Sequence, residues 1–76
     1  MSENQPVQTF KIGHIDAAIW AKSNQSGRVY YSVSIAKSYQ KDNEWKKGYY
    51  FDADDLATVA ELSRFCLHWI LSQQRT

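Results

Sequence analysis

Hydrophobic and polar residues alternate along much of the chain, most regularly over residues 28–39. Branched and aromatic side chains recur there at every second position, a period typical of a strand with one buried face. The odd-numbered members are predicted to face the core: Val29, Tyr31, Val33 and Ile35. The even-numbered members are predicted to face away from it: Tyr30, Ser32 and Ser34.

An earlier alternating segment changes phase at Gly13-His14. Phe10 and Ile12 are apolar at even positions, whereas the apolar residues that follow are odd-numbered: Ile15, Ala17 and Ile19. Because a slip of one residue turns a strand inside out, we predict a bulge or bend at Gly13. Composition also predicts turns at 23–27 and 41–44, followed by a last strand over 45–51.

A helical period begins after Asp52, which is a favourable N-cap with further aspartates in the first turn. The apolar positions form one stripe: Leu56, Val59, Ala60, Ser63, Cys66, Leu67, Ile70 and Leu71. Leu62, Phe65 and Trp69 widen this stripe to roughly 240° of the helix, although about 100° suffices for packing on one sheet. We therefore predict that these three residues form a homodimer interface.

The predicted fold class is α+β, with a four-stranded antiparallel meander followed by one C-terminal helix. Residues 1–8 are polar and contain the only proline, so we expect a flexible tail before a single domain at 9–73. The chain has 76 residues and one cysteine, so a second copy is expected to supply stability that no internal disulfide provides. No signal-peptide pattern or long apolar run occurs, which favours a cytoplasmic protein without a membrane partner. Association with the nucleoid is compatible with this location.

The net charge of +1 conceals an asymmetry between the predicted sheet and the predicted helix. Residues 7–51 carry seven Lys and Arg against three Asp and Glu, whereas residues 52–76 carry two against four. If Tyr49 and Phe51 face the core, alternation places these side chains on the outer face: Trp20, Lys22, Tyr30, Lys46 and Tyr50. Aromatic rings interleaved with lysines over small residues are typical of a stacking surface for single-stranded nucleic acid.

Catalysis and cofactor binding are not indicated. His14 and His68 lack a recognisable nucleophile or carboxylate arrangement, and Cys66 lies on the apolar stripe, as a buried structural thiol does. Helix capping accounts for the aspartates at 52–55, so we expect no metal. The chain is predicted to be a binding protein without a cofactor, and not an enzyme.

Three segments together resemble a known family. Residues 10–15 resemble an opening strand of the form F-x-I-G-K-M, and residues 33–39 resemble the end of a third strand that carries a basic and an aromatic residue. Residues 45–52 resemble a fourth strand of the form G-R-K-G-I-S-L-N. In this order they resemble the single-stranded-DNA-binding domain of transcriptional positive cofactor four, with its bacterial, phage and Whirly relatives.

The resemblance implies a homodimer with its helices at the interface and its sheets open to single strands. Lys46 and Lys47 match the basic pair of the family's fourth strand, and Tyr39 matches its stacking aromatic with Lys37 beside it. His14 stands where the family has lysine, and Asp16 replaces a basic residue. These departures reduce the cationic character that the family pattern implies.

We therefore expect sequence-tolerant binding of single-stranded DNA or RNA by a homodimer, of the kind that serves transcription regulation (as a coactivator), replication or repair. The predicted phosphate contacts are Lys22, Arg28, Lys37, Lys46 and Lys47, with His14 at the family's lysine position. The predicted base contacts are Trp20, Tyr30, Tyr39, Trp45 and Tyr50. The alternative is a protein-interaction module that uses the same aromatic face or the helix flank.

Overall fold

The computed structural model describes residues 5–74, which form one sheet and one long helix. The strands are β1 (Gln8–Ile12), β2 (Ile15–Ser23), β3 (Val29–Lys41) and β4 (Glu44–Gly48), paired antiparallel in chain order. A turn of 3-10 helix at Ala53–Asp55 leads into α1 (Leu56–Gln74). The predicted α+β order of four meandering strands and a C-terminal helix is confirmed.

A two-residue turn, and not a bulge within one strand, explains the change of phase at Gly13-His14. Ile12 pairs with Ile15 across this turn, so the apolar residues before and after it lie on the same face. Gly13 takes a positive φ of 60°, as the first residue of such hairpin turns often does. The predicted break at Gly13 is therefore present, but it is a full reversal between two strands and not a bulge.

A second two-residue turn fixes the pairing of β3 with β4. Asp42 and Asn43 have φ values of 55° and 66°, the pattern of a type I′ hairpin turn, for which Asn and Asp are favoured. Lys41 consequently pairs with Glu44, and this register continues to Lys37 opposite Gly48. β4 ends at Gly48, so Tyr49 and Tyr50 of the predicted strand lie beyond the sheet.

The β2–β3 turn is built around the side chain of Asn24. Its Oδ1 accepts hydrogen bonds from Ser26 N (3.0 Å), Ser26 Oγ (2.7 Å) and Arg28 N (3.0 Å). Gly27 completes the turn with a φ of 84°. The turn predicted from composition at residues 23–27 is thus confirmed.

The core forms where α1 packs on β1 and β2. Its buried side chains are Ile15, Ala17, Ile19, Leu62 and Cys66. Half-buried aromatic residues close its ends, with Phe65 against Phe10 (ring centroids 5.7 Å apart) and Trp69 edge-on to Tyr31 (5.7 Å). Phe51 also packs against this core, as predicted.

The helix presents a different side to the sheet from the one predicted. With 100° between successive residues, the buried side is rotated by about a quarter turn about the helix axis. Leu62 is fully buried in its own chain, and Phe65 and Trp69 pack on its own sheet, so these three do not form an exposed flank. Leu56, Leu67 and Leu71 of the predicted core stripe are instead about half exposed. The reason is that the larger aromatic side chains bury more apolar area against the sheet than the leucines would.

The helix covers only one face of the sheet and only part of its width. It contacts β1, β2 and β3, and within residues 5–74 it makes no contact with β4. No helix in this part of the chain has the length and hydropathy needed to cross a membrane. Residues 1–4 of the predicted tail lie outside the described residues. The end of that tail joins the sheet, because Val7 N donates to Ile19 O (2.8 Å) and Gln8 is the first residue of β1.

We expect Asn24→Ala to lower the free energy of unfolding by about 1 kcal/mol, because three hydrogen bonds of the β2–β3 turn lose their acceptor at an exposed site. Urea denaturation at fixed protein concentration measures this change. Gln25→Ala in the same turn is the control and should stay within about 0.5 kcal/mol of the wild type. Equal effects of the two substitutions would contradict the role given to Asn24.

Candidate nucleic-acid interface

The face of the sheet opposite the helix carries aromatic and basic side chains around a floor of small residues. Partners across an antiparallel pair share a face, so the register assigns this outer face residue by residue. Its larger members are Lys11, Trp20, Lys22, Tyr30, Trp45 and Lys47. The charged side chains that the strands place on this face are three lysines and one aspartate, Asp16, so the strands present a net positive charge here.

One end of the outer face is formed by the β2–β3 hairpin. Trp20 Nε1 donates to Ser34 Oγ (3.1 Å), a bond that fixes the indole along the sheet. Lys22 pairs with Tyr30, which is about half exposed, and Arg28 lies exposed in the adjoining turn. The predicted outward positions of Trp20, Lys22 and Tyr30 are therefore confirmed.

The other end is a cleft of about 360 Å³ lined by Lys11, His14, Ser38 and Trp45. The rings of His14 and Trp45 lie 5.8 Å apart at 30° to each other, and Trp45 keeps 62% of its surface exposed. Ser38 N donates to His14 O (2.7 Å), which holds the β1–β2 turn against β3. An exposed indole beside an imidazole and a lysine offers a stacking surface with a cation at its edge.

Small side chains form the floor between these two ends. Ala18 and Ala36 are buried between their neighbours on the sheet, and Ser34 pairs with Ala18. Lys47 Nζ lies 3.2 Å from Asp16 Oδ1, so the one carboxylate of this face has a cation beside it. The backbone of a ligand can therefore approach the sheet closely without meeting an unpaired negative charge.

Lys46 and Tyr50 do not belong to the outer face, contrary to the sequence prediction. The type I′ turn puts Lys46 opposite Tyr39 on the helix side, and Lys47 with Trp45 on the outer side. Tyr49, predicted to face the core, is 68% exposed in the bend after β4. The prediction was wrong because alternation within β4 is ambiguous by sequence alone, and the turn determines the phase.

Tyr39 and Tyr50 instead line a smaller cleft of about 290 Å³ on the helix side, together with Lys37 and Gly48. The Tyr39 ring lies over Gly48, where an added Cβ would come within 3.1 Å of Tyr39 Cε1. Lys46 is 3.5 Å from Glu44 in an exposed pair. These side chains therefore form a separate surface, where carboxylates stand beside the lysines.

Lys37 is engaged by the start of the helix. Its Nζ donates to Asp55 Oδ2 (2.6 Å) and to Asp52 Oδ2 (3.2 Å), while Asp55 Oδ2 also accepts from Asp52 N (2.9 Å). The hydrogen bond to Asp55, followed by that to Asp52, raises the pKa of Lys37, and the same bond to Lys37 lowers the pKa of Asp55. Lys37 thus joins β3 to the helix instead of standing free for a phosphate.

An apolar groove of about 350 Å³ lies beside the helix on the inner face of β3. Its lining includes Val33, Ile35, Leu67 and Ile70, and Val33 and Leu67 are substantially exposed. The surplus of apolar surface predicted for the helix is therefore present, but different side chains supply it.

The sequence analysis missed Lys11 as a candidate contact. Phe10 and Ile12 point to the core, so the alternation already required Lys11 to face outward. Residues 5–74 contain no group of three or more side chains suited to holding a metal ion. The thiol of Cys66 is buried, and burial raises its pKa, which suits a structural residue.

We expect the Lys37–Asp55 contact to make folding sensitive to acid. Because the pKa of Asp55 is lowered on folding, its stabilising contribution is present above its ordinary value of 3.8 and is lost as the pH falls through the lower folded value. The contribution of Lys37, whose pKa is raised, is present below 10.5 and is lost only as the pH rises through the folded value.

The urea midpoint, measured from about pH 5 to about pH 2, should therefore fall less steeply in Asp55→Asn than in the wild type. Asp54→Asn is the matched control, because the Asp54 carboxylate makes no hydrogen bond to Lys37 among the described contacts. Parallel pH profiles for the wild type and Asp55→Asn would contradict this assignment.

No protein-family profile, curated protein sequence or solved structure matches this chain. The resemblance to the family of transcriptional positive cofactor four therefore remains a prediction based on three short motifs and the order of the elements. The candidate interface is defined by the residues of this chain alone.

Proposed function

We propose that the protein binds single-stranded nucleic acid on the outer face of its sheet. The observation that carries this proposal is the bare outer face, where three exposed or half-buried aromatic rings and three lysines surround a floor of alanine and serine. The helix covers the opposite face, so nothing within residues 5–74 covers these rings as a second layer.

The chemistry of this face fits a single strand better than a duplex. Every base has a flat face that can stack on an aromatic ring, which contributes about 1–3 kcal/mol per base, and lysines neutralise the phosphates. The long helix, by contrast, packs against the sheet and begins with aspartates, so it is poorly suited to enter a major groove. Stacking without base-edge recognition makes the binding tolerant of sequence.

The proposed contacts are fewer than the sequence suggested. Trp20, Tyr30 and Trp45 are assigned to bases, and His14 extends the stack at Trp45. The assigned phosphate contacts are Lys11, Lys22, Arg28 and Lys47. Lys37, Lys46, Tyr39 and Tyr50 are excluded from this set because they lie on the helix side.

We further propose that two copies associate through the exposed stripe of the helix and the groove beside it. The stripe runs at spacings of three and four residues through Leu56, Ala60, Ser63, Leu67 and Leu71. Repeats of this spacing form the seam between paired helices. A partner helix in this position would cover Val33 and leave both outer faces open to nucleic acid.

We expect Lys47→Ala to weaken binding of labelled oligo-dT several-fold, whereas Lys46→Ala changes it little. The two residues are adjacent in sequence but lie on opposite faces, so they form a matched pair. Removing Lys47 deletes a cation and also leaves Asp16 unpaired near the phosphates. Fluorescence anisotropy at roughly 50 mM salt measures both affinities, and the salt slope should be about −0.7 per phosphate contacted.

Three outcomes of this titration would contradict the proposed interface. They are no binding at low salt, an equal loss from the two substitutions, and binding that is independent of salt. The last outcome would favour the alternative of a protein-interaction module, since docking of a polypeptide on aromatic residues depends little on salt.

We expect Leu67→Asp to convert the dimer to a monomer, because the substitution places a charge in the middle of the exposed stripe. Sedimentation velocity at micromolar concentration distinguishes the two masses. His68→Asp introduces the same charge at the next position, away from the stripe, and should leave the dimer intact. A wild-type protein that sediments as a monomer would refute the proposed association.

A further inference from the structure

We propose, on the basis of the function proposed above, that one strand of nucleic acid lies lengthwise along β3 and bridges the two aromatic ends of the outer face. Trp20 with Tyr30 forms the first end, and Trp45 with His14 forms the second. The site is thus one track with two stacking points, and its length defines the shortest oligonucleotide that binds fully.

The register gives the separation of the two tryptophan backbones. Trp20 is opposite Ser32 and Trp45 is opposite Gln40, which are eight residues, or about 26 Å, apart on β3. The rings lie closer together, because the Trp20 indole donates to Ser34 Oγ and the Trp45 ring lies beside His14 and Ser38. Ser34 and Ser38 are four residues apart on β3, so the rings are separated by about 13 Å along it.

This separation corresponds to a short stretch of extended single strand. A strand drawn out to about twice the 3.4 Å rise of duplex DNA covers the distance between the rings in about two steps, so about three nucleotides connect the two stacking points. Because the two stacking points are separated mainly along β3, the bound nucleic acid should follow β3 and not cross it.

The surface between the stacking points suits a backbone without base contacts. Ala36 is small and lies on the path between Ser34 and Ser38, so no ring there can sandwich a base. Lys47 lies beside the path and neutralises Asp16, the one carboxylate on it. The inner nucleotide is therefore held through its phosphates, and the two outer nucleotides through their bases.

The test is a length series of oligo-dT from two to eight nucleotides, titrated by anisotropy against the wild type, Trp45→Ala and Tyr50→Ala. In the wild type, affinity should rise at least about tenfold between two and four nucleotides, because the second stacking contact becomes intramolecular once both ends are reached. Trp45→Ala should abolish this rise while changing dinucleotide binding by no more than about twofold. Tyr50→Ala, an exposed tyrosine on the helix side, should retain it.

A second measurement needs no change to the protein. A trimer of dT with an abasic sugar at its inner position should keep most of its affinity, whereas abasic sugars at its two ends should remove the gain over the dinucleotide. A smooth rise with length that Trp45→Ala leaves intact, or an equal loss from inner and terminal abasic sites, would overturn the bridged track but not the binding function. Absence of binding at every length would overturn both.

Discussion

Two two-residue turns determine which side chains can act together in this protein. A hairpin with a two-residue turn fixes the register of both its strands, and a change of one residue would exchange their faces. The positive φ values at Gly13 and at Asp42-Asn43 are therefore the constraint on which the outer face depends. The turn at Gly13 puts Lys11 on the outer face opposite Asp16. The turn at Asp42-Asn43 puts Trp45 and Lys47 on that face and turns Lys46 away.

This constraint explains how far the sequence could predict the site. Within β2 and β3, long alternating runs fix the faces without reference to any turn, and Trp20, Lys22 and Tyr30 were placed correctly. β4 spans only five residues, and both Lys46 and Lys47 are polar, so either phase satisfies the alternation. The information lay in Asp42-Asn43, where residues that tolerate left-handed backbone define a type I′ turn and hence the register.

The orientation of the helix illustrates a different limit. Nearly every turn of α1 offers apolar side chains on two flanks, so periodicity alone cannot decide which flank meets the sheet. Shape decides it: Phe65 and Trp69 reach Phe10 and Tyr31 at the two ends of the core, and Leu62 fills the space between them. Leu56, Leu67 and Leu71 then face outward. The helix therefore has the exposed apolar flank that the sequence predicted, but on the other side from Leu62, Phe65 and Trp69.

Charge pairing divides the lysines into two groups with different tasks. Lys37 is held by two carboxylates at the start of the helix, which joins the sheet to α1 and removes its charge from the ligand surface. Lys47 makes a single contact to Asp16 and keeps 57% of its side chain exposed, so it neutralises the floor and can still meet a phosphate. Lys11 and Lys22 have no ion pair among the described residues. The positive field of the outer face is therefore modest and concentrated at its two aromatic ends, which makes stacking, and not charge, the main determinant of where a strand would lie.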